Sequence, residues 1–160
     1  MIKALEKVAK MQGKIKILGD QQAGEEIQQF LARWDEVICQ LNIQNIVELC
    51  AADVCFFDVS CEMQGLMAYQ KMWERYQNYF REGLKVYRRD LVIHADSTLA
   101  FVHCYSKIDN LNGTATPSIT WCRTTIALRK TQSQWKIVHQ HISVPVDVVT
   151  HRSKPLTFSC

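Results

Sequence analysis

With 160 residues, of which 48% are apolar and 22% charged, the chain is long enough for one globular domain with a buried core. The formal charge of +3 comes with no long basic run and no nucleic-acid motif, which argues against a polynucleotide partner. No apolar run approaches the roughly 18 residues that span a bilayer, so no membrane partner is expected.

The seven cysteines are an odd number, and no two of them have the C-x-x-C spacing. Several lie among apolar residues, where free cysteine packs as a small hydrophobic side chain. This usage favours a reducing, cytoplasmic location and argues against a disulfide framework or a zinc site.

The N-terminal segment 1–20 has lysines interleaved with apolar residues. We expect an amphipathic leader here, either helical, docked or frayed. A targeting peptide is the alternative, but the segment lacks an apolar central region and a cleavage site, and Glu6 interrupts its positive charge. The patterns that follow predict one domain over residues 21–146 and an irregular tail over 147–160.

The first half of the sequence predicts three helices and one strand. After a turn-rich break at 19–24, apolar residues recur at helical spacing and predict an amphipathic helix of about 17 residues. Asn42 begins a second, short helix, and the β-branched and aromatic run 53–60 predicts a strand. A third helix follows Gly65 and ends at Gly83. The apolar residues of the first helix are Ile27, Phe30, Leu31, Trp34, Val37, Ile38 and Leu41.

The second half predicts four consecutive strands, at 84–96, 98–109, 118–130 and 134–145, which are separated by turn-favouring segments. Helices followed by consecutive strands predict an α+β fold with a mostly antiparallel sheet rather than alternating β and α units. Since three helices cover only one face, we expect a twisted sheet that curves around them, with a cavity in its concave face.

The last predicted strand has the most regular pattern in the sequence, WKIVHQHISVP. Because side chains alternate between the two faces of a strand, His139 and His141 are expected side by side on one face. Such a pair can bind a metal with a carboxylate as third ligand, but no residue at a recognisable spacing supplies the remaining ligands. We therefore expect neither a metal nor another cofactor.

The order helix, helix, strand, helix and four-stranded meander, closed by W-x-[IV]-x-H-x-H-x-S, resembles the nuclear transport factor 2-like superfamily over residues 22–146. Its SnoaL-like and ketosteroid-isomerase-like domains are the most similar. RTTIALRK followed by WKIVHQHISVP is also similar to the association domain of calcium/calmodulin-dependent protein kinases. The resemblance implies a cone-like α+β fold, but it leaves the activity open because this fold hosts isomerases, dehydratases, binding proteins and assembly modules.

The segment ARWDEVICQLNIQNIVELCAADVCFFD aligns without a gap with ketosteroid isomerase. The resemblance implies that Asp58 occupies the position of the isomerase's general-base aspartate. A carboxylate that follows Phe56 and Phe57 at the mouth of an apolar cavity loses solvation and becomes a better proton acceptor. Alternatively, Asp58 only caps the turn that begins at Val59.

The oxyanion hole of ketosteroid isomerase does not carry over to this chain. Its main tyrosine falls on Trp34, its supporting tyrosines on Cys50 and Trp73, and its protonated aspartate on Thr125. The loss of each preorganised donor typically lowers the rate by about 10²–10³-fold. A true steroid isomerase is therefore not expected, and an enzyme would pair Asp58 with a different electrophilic group.

The same alignment implies which residues of the last three strands line the cavity. Arg123 becomes an inward arginine that could hold a carbonyl or anionic oxygen, and His103 and Tyr105 could supply or accept a proton. Alternatively, these residues form a polar network within the sheet, or Arg123 pairs with an acidic residue of the helices. The expected lining residues are Trp34, Phe56, Trp73, Phe101, Trp121, Arg123, Thr125, Gln140 and Ile142, with Asp58, His103 and Tyr105 as candidate catalytic residues.

On the closing strand the alignment places Val138, Gln140 and Ile142 in the cavity, and His139 and His141 on the outer face. That outer face commonly forms a dimer in this superfamily, so a homodimer through His139 and His141 is expected. A β-bulge in the strand would reverse the assignment and bring the histidines into the cavity.

Two kinds of function remain open at this point. The first is a cavity protein for a small apolar or carbonyl-containing molecule, acting as a cofactor-independent isomerase, dehydratase or hydrolase with Asp58 as base. The second is a non-catalytic ligand-binding or oligomerisation module. A centre filled by side chains, with Asp58 in solvent, would favour the second.

Overall fold

A computed structural model describes residues 9–78, 80, 84–110, 120–156 and 158 of the chain. Within these residues there are three helices and eight strands, and the eight strands form one sheet. In chain order they are β1 (Ala9–Gln12), β2 (Lys16–Gly19), α1 (Gln21–Cys39), α2 (Ile43–Glu48), β3 (Cys50–Phe57), β4 (Glu62–Gln64), α3 (Leu66–Tyr76), β5 (Leu84–Ala95), β6 (Leu99–Asn110), β7 (Cys122–Thr131) and β8 (Gln134–Ser143).

The sheet is built around an antiparallel meander of β5, β6, β7 and β8. Strand β3 pairs in parallel with β8, and β4 returns antiparallel to β3. The helices and the sheet share one apolar core, which includes Leu31 and Trp34 of α1, Trp73 of α3 and Val102 of β6. The predicted α+β fold, with three helices on one face of a curved and mostly antiparallel sheet, is confirmed.

Helix α1 begins earlier than the sequence pattern indicated. Asp20 is its N-cap, and the Asp20 carboxylate accepts a hydrogen bond from the Ala23 N–H at 2.8 Å. The segment 21–24, which was expected to belong to a turn, is therefore the first turn of the helix. Gly24 fits there because a Cβ at this position would lie 2.2 Å from Cγ2 of Ile17. No helix in the described ranges is long and apolar enough to cross a membrane.

The described part of the leader is neither helical nor frayed. Strands β1 and β2 both pair in parallel with β5, with Ala9 opposite Val86 and Lys16 opposite Val92. The leader therefore extends the sheet, because β5 at its edge has backbone groups without another partner strand. Residues 1–8 lie outside the described residues.

Two β-bulges decide which side chains face the helices. In β5 the register with β6 shifts between Arg89 and Val92, and Asp90 adopts a positive φ of 54°. In β8 the register with β7 shifts so that Val138 has no partner residue between Ile137 and His139. Each bulge adds one residue, so the alternation of faces restarts after it.

The tail after β8 folds back near the end of the sheet. Val146 and Ser153 form an antiparallel bridge, and the Asp147 carboxylate accepts hydrogen bonds from the backbone N–H groups of Val149 and Thr150. The tail was expected to be irregular, and this part of it is instead a capped turn.

Candidate functional site

A cavity of about 510 Å³ lies between the helices and the concave face of the sheet. This volume falls in the range that small-molecule sites occupy in proteins. Helices α1 and α3 supply Trp34, Tyr69 and Trp73, and the sheet supplies the opposite wall. Most of the lining is apolar, and the polar lining residues include Asp58, Arg88, Ser106, Lys107, Thr120, Gln140 and Ser153.

The structure brings half of the predicted site residues together in this cavity. Those that line it are Trp34, Phe56, Asp58, Trp73, Gln140 and Ile142. On β8 the bulge at Val138 lets Ile137 and Gln140 both face inward, although they are three positions apart along the chain, and Val138 itself is not among the lining residues. If β8 contained a bulge, the two histidines were expected to face the cavity. The bulge in the structure lies before His139, and both histidines remain on the outer face.

The expected orientation of β6 and β7 was wrong by one residue. The inward residues of β6 include Val102 and Cys104, and those of β7 include Cys122 and Thr124, all of which are buried. The opposite face therefore carries the six residues that were expected in the cavity but do not line it, namely Phe101, His103, Tyr105, Trp121, Arg123 and Thr125.

Because these residues face away from the cavity, they do not have the catalytic and ligand-binding roles that were expected of them there. His103 and Arg123 are exposed, and an Arg123 Nη2 donates to the carbonyl oxygen of Val144 at 3.1 Å rather than reaching into the cavity. Tyr105 and Trp121 instead pack against Phe158 of the tail, at ring distances of 4.8 and 5.6 Å. His103 and Tyr105 therefore have no access to a molecule in the cavity.

Asp58 follows β3 directly and lies at the mouth of the cavity. Its Oδ1 accepts the Val59 N–H at 2.8 Å, and its own N–H donates to the carbonyl oxygen of Cys61 at 2.8 Å. Asp58 thus caps a turn and lines the cavity at the same time, so the two sequence interpretations are not exclusive. Its Oδ2 accepts no hydrogen bond from the described residues.

Arg88 is one of the cavity residues that sequence reasoning missed. It lies on β5 one residue before Arg89, and its side chain is 3% exposed. Nη2 and Nε donate to the Asp35 carboxylate of α1 at 2.6 and 2.8 Å, and Nη1 donates to Sγ of Cys104 at 3.6 Å. The alternation of Leu84, Val86 and Arg88 is the sequence signal that could have found it.

Burial and charge oppose each other in this ion pair. Burial raises the pKa of the Asp35 carboxyl, while the Arg88 charge and hydrogen bonds act in the other direction. Although burial disfavours the charged guanidinium, the Asp35 carboxylate raises the pKa of Arg88 above its ordinary value. Arg88 is therefore charged at any physiological pH, and Asp35 neutralises that charge.

Aromatic rings form the helical wall of the cavity. Tyr69 of α3 stacks on Phe56 with ring centres 3.7 Å apart, and Trp73 meets Tyr69 edge to face at 6.1 Å. Burial is the main cause, and the nearby Cys50 the second, that raise the pKa of the Tyr69 hydroxyl well above its ordinary value. The Trp73 N–H acts in the opposite direction, although its position does not meet the geometry of a hydrogen bond. The buried indole nitrogens of Trp34 and Trp73 have no hydrogen-bond partner among the described residues.

The outer face of the sheet carries exposed aromatic and histidine side chains. Phe57 is 43% exposed and meets His139 and His141 edge to face at 5.0 and 5.9 Å. Phe101 is 45% exposed and stacks on His94 at 4.2 Å. We call these residues, together with His103, the outer aromatic patch. Within the described ranges, no group of three or more His, Cys, Asp or Glu side chains is arranged to hold a metal ion.

A curved antiparallel sheet, three helices in its concave face and a mainly apolar cavity between them define a cone-like α+β cavity protein. Residues 27–147 match the model of the SnoaL-like domain, and the chain belongs to this family. No curated protein matches the chain.

Solved structures share this fold. An NTF2-like protein of unknown function from Pseudomonas putida is 24% identical, with a TM-score of 0.78 over 88% of this chain and 99% of its own. Aln2 from a Streptomyces species is 13% identical, with a TM-score of 0.69 over 79% and 93% of the two chains. A protein from Xanthomonas campestris, provisionally named a calcium/calmodulin-dependent protein kinase II association domain, is 15% identical, with a TM-score of 0.66 over 77% and 88%.

Proposed function

We propose that the protein binds a small, largely apolar molecule in the cavity and that Asp58 acts on this molecule as an acid–base group without a cofactor. The observation that carries the proposal is the open cavity of about 510 Å³ with Asp58 in its lining. A purely structural module would be expected to fill this space with side chains, because protein interiors pack as densely as organic crystals.

The chemistry that suits Asp58 is proton transfer next to a carbonyl group. Oδ1 is held by the turn at Val59, and Oδ2 remains available to take a proton from the carbon beside a ketone. The same carboxyl group can return that proton to another carbon of the enol, which isomerises the substrate without a redox partner. Apolar neighbours such as Phe56 and Met63 would shield this transfer from water.

Substitution of Asp58 by asparagine tests the catalytic part of this proposal. In D₂O the native protein is expected to speed the exchange of α-protons of a small aromatic ketone such as 2-acetonaphthone, followed by proton NMR. The Asp58→Asn variant is expected to lose about 10²-fold of the enzymatic rate, because an amide cannot accept the proton.

The matched control is Asp53→Asn, the same chemical change on strand β3, which Asp58 directly follows. Asp53 is 64% exposed and pairs with Arg129 at 2.9 Å, away from the cavity lining, so this variant should keep the native rate. An Asp58→Asn variant with the native rate would remove Asp58 from the chemistry. A native protein that binds the ketone without exchanging its protons would instead be a non-catalytic ligand-binding module.

Self-association is a second candidate function, and the outer aromatic patch favours it. Exposed apolar and aromatic clusters of this kind mark interaction surfaces more often than free surface. The Xanthomonas protein of the same fold bears the name of an association domain. We propose that two copies of the chain pair through this face, with His139 and His141 near the contact.

Substitution of His141 by glutamate is expected to weaken the dimer by about tenfold or more, since it buries a carboxylate in an aromatic contact. Sedimentation velocity over a concentration series measures the change. His151→Glu, at an exposed turn of the tail, makes the same change in charge and should leave the association constant unchanged. A native protein that stays monomeric, or an unaffected His141→Glu dimer, would contradict this interface.

A further inference from the structure

The floor of the cavity contains an arginine whose charge is already neutralised. Arg88 and Asp35 are 3% and 1% exposed, and two nitrogens of the guanidinium are engaged by the carboxylate at 2.6 and 2.8 Å. Among the described residues, the third nitrogen, Nη1, has Sγ of Cys104 as its one acceptor, at 3.6 Å. A thiol sulfur is a weak acceptor, so this nitrogen retains most of its capacity to donate.

Two further donors lie in the helical wall of the cavity, opposite the sheet that carries Arg88, and neither has an acceptor among the described residues. The indole nitrogens of Trp34, next to Asp35 on α1, and of Trp73 on α3 are buried and have no partner among the described residues. Buried N–H groups in native proteins are nearly always paired, so donors left over beside a cavity point to an acceptor supplied from within it. The Ser106 hydroxyl does not meet this need, because it is paired with the Thr124 hydroxyl at 2.5 Å.

The balance of charge decides which acceptor fits. A carboxylate bound at Arg88 would place a second anion beside Asp35 in a low-dielectric site, and its lost hydration would not be compensated. An uncharged carbonyl oxygen accepts the same hydrogen bonds and loses far less hydration. The apolar side chains that surround the floor, such as Val86 and Ile108, favour a hydrocarbon body for the rest of the ligand.

We infer that Arg88 and Trp34 form a donor subsite for the uncharged carbonyl oxygen of a ketone, quinone or ester, and that this subsite rejects carboxylic acids. The inference rests on the proposed function, since it requires that the cavity binds a small molecule. It assigns Arg88 and Trp34 to ligand recognition, whereas Asp58 at the mouth remains the group that moves the proton.

Three naphthalene probes of nearly equal size test the subsite on the native protein. Isothermal titration calorimetry at pH 7 would compare 2-ethylnaphthalene, 2-acetonaphthone and 2-naphthoate. The ketone is expected to bind about tenfold more tightly than the hydrocarbon, the contribution of one hydrogen bond to a charged donor. The carboxylate is expected to bind at least tenfold more weakly than the ketone.

Variants locate the ketone preference within the cavity. The double variant Asp35→Leu/Arg88→Met replaces the ion pair by apolar side chains and should bind ketone and hydrocarbon about equally. Trp34→Phe removes the N–H together with the five-membered ring of the indole, so it should weaken ketone binding more than hydrocarbon binding and thereby reduce the preference. Arg129→Met, which removes an exposed arginine outside the cavity lining, should preserve the preference.

The outcomes separate this inference from the proposed function. Equal binding of ketone and hydrocarbon to the native protein, or tighter binding of the carboxylate, would overturn the subsite and leave the cavity function standing. A ketone preference that survives in both Trp34→Phe and the double variant would also overturn it. Failure of all three probes to bind would reject the cavity function, and the subsite with it.

Discussion

Replacement of Arg88 by methionine is expected to lower the free energy of unfolding by about 3–5 kcal/mol, because it leaves the Asp35 carboxylate buried without a partner. Asp35 is 1% exposed, and its hydrogen-bonding side chain is Arg88 of β5. Urea unfolding followed by tryptophan fluorescence measures the loss. Arg129→Met, which breaks the exposed pair with Asp53, is the matched control and should cost less than about 1 kcal/mol.

The Asp35→Leu/Arg88→Met double variant should recover most of the stability, since apolar side chains of similar volume can replace a buried ion pair at little cost. A single Arg88→Met variant as stable as the native protein, or a double variant no better than the single one, would contradict the account of a mutually dependent pair.

The loss of unfolding free energy in the Arg88→Met variant is also expected to depend on pH. Burial raises the pKa of Asp35, and without Arg88 nothing among its named partners opposes that rise. A carboxyl group whose pKa is higher in the folded protein than in the unfolded chain stabilises the fold only at low pH. The destabilisation should therefore be smallest below about pH 4, the ordinary pKa of aspartate, and grow as the pH rises above it.

The fold could be predicted because its helices and strands follow their own periodicities. The apolar stripe of α1, from Ile27 to Ile38, repeats at helical spacing and is buried along its length. The strands of the meander begin and end within a few residues of their predicted limits. The strand pairing of the leader was missed, since four-residue strands such as β1 and β2 carry no periodicity long enough to read.

The residues that line the cavity were harder to predict, because they depend on which face of each strand is turned toward the helices. The expected faces of β6 and β7 came from an alignment rather than from the residues themselves. Arg123 and Arg129 share one face of β7, and two arginines of that kind are typical of an outer face. The pairing of Tyr105 with Arg123 then places the aromatic residues of β6 on the same outer face.

Bulges are the second reason why the site escaped prediction. Strict alternation along β8 puts Ile137 and Gln140 on opposite faces, yet both are buried because Val138 is an extra residue. A bulge depends on the pairing with a neighbouring strand, so the sequence of one strand does not reveal it. Asp58, in contrast, was expected at the cavity from the gap-free alignment of its segment, whereas local sequence alone, a short aromatic strand followed by a turn, indicated only a turn cap.

Substitution of Gly19 by alanine is the last large effect that we expect, with a loss of about 3 kcal/mol of stability. Gly19 ends β2 with a φ of +93°, and a Cβ there would lie 2.2 Å from the carbonyl oxygen of Ala95. That same oxygen accepts the N–H of Asp20 at 2.8 Å, and Asp20 caps α1. Alanine would therefore strain the backbone and displace the start of the helix that carries Trp34 and Asp35.

Gly13→Ala is the matched control for this prediction. Gly13 also has a positive φ, of +88°, but a Cβ there would first meet a side-chain oxygen of Asp90, at 2.9 Å. A side chain can rotate away whereas the backbone of β5 cannot, so Gly13→Ala should cost only the conformational strain, about 1 kcal/mol. Equal losses in the two variants, measured by urea unfolding, would show that the contact with Ala95 does not hold α1 in place.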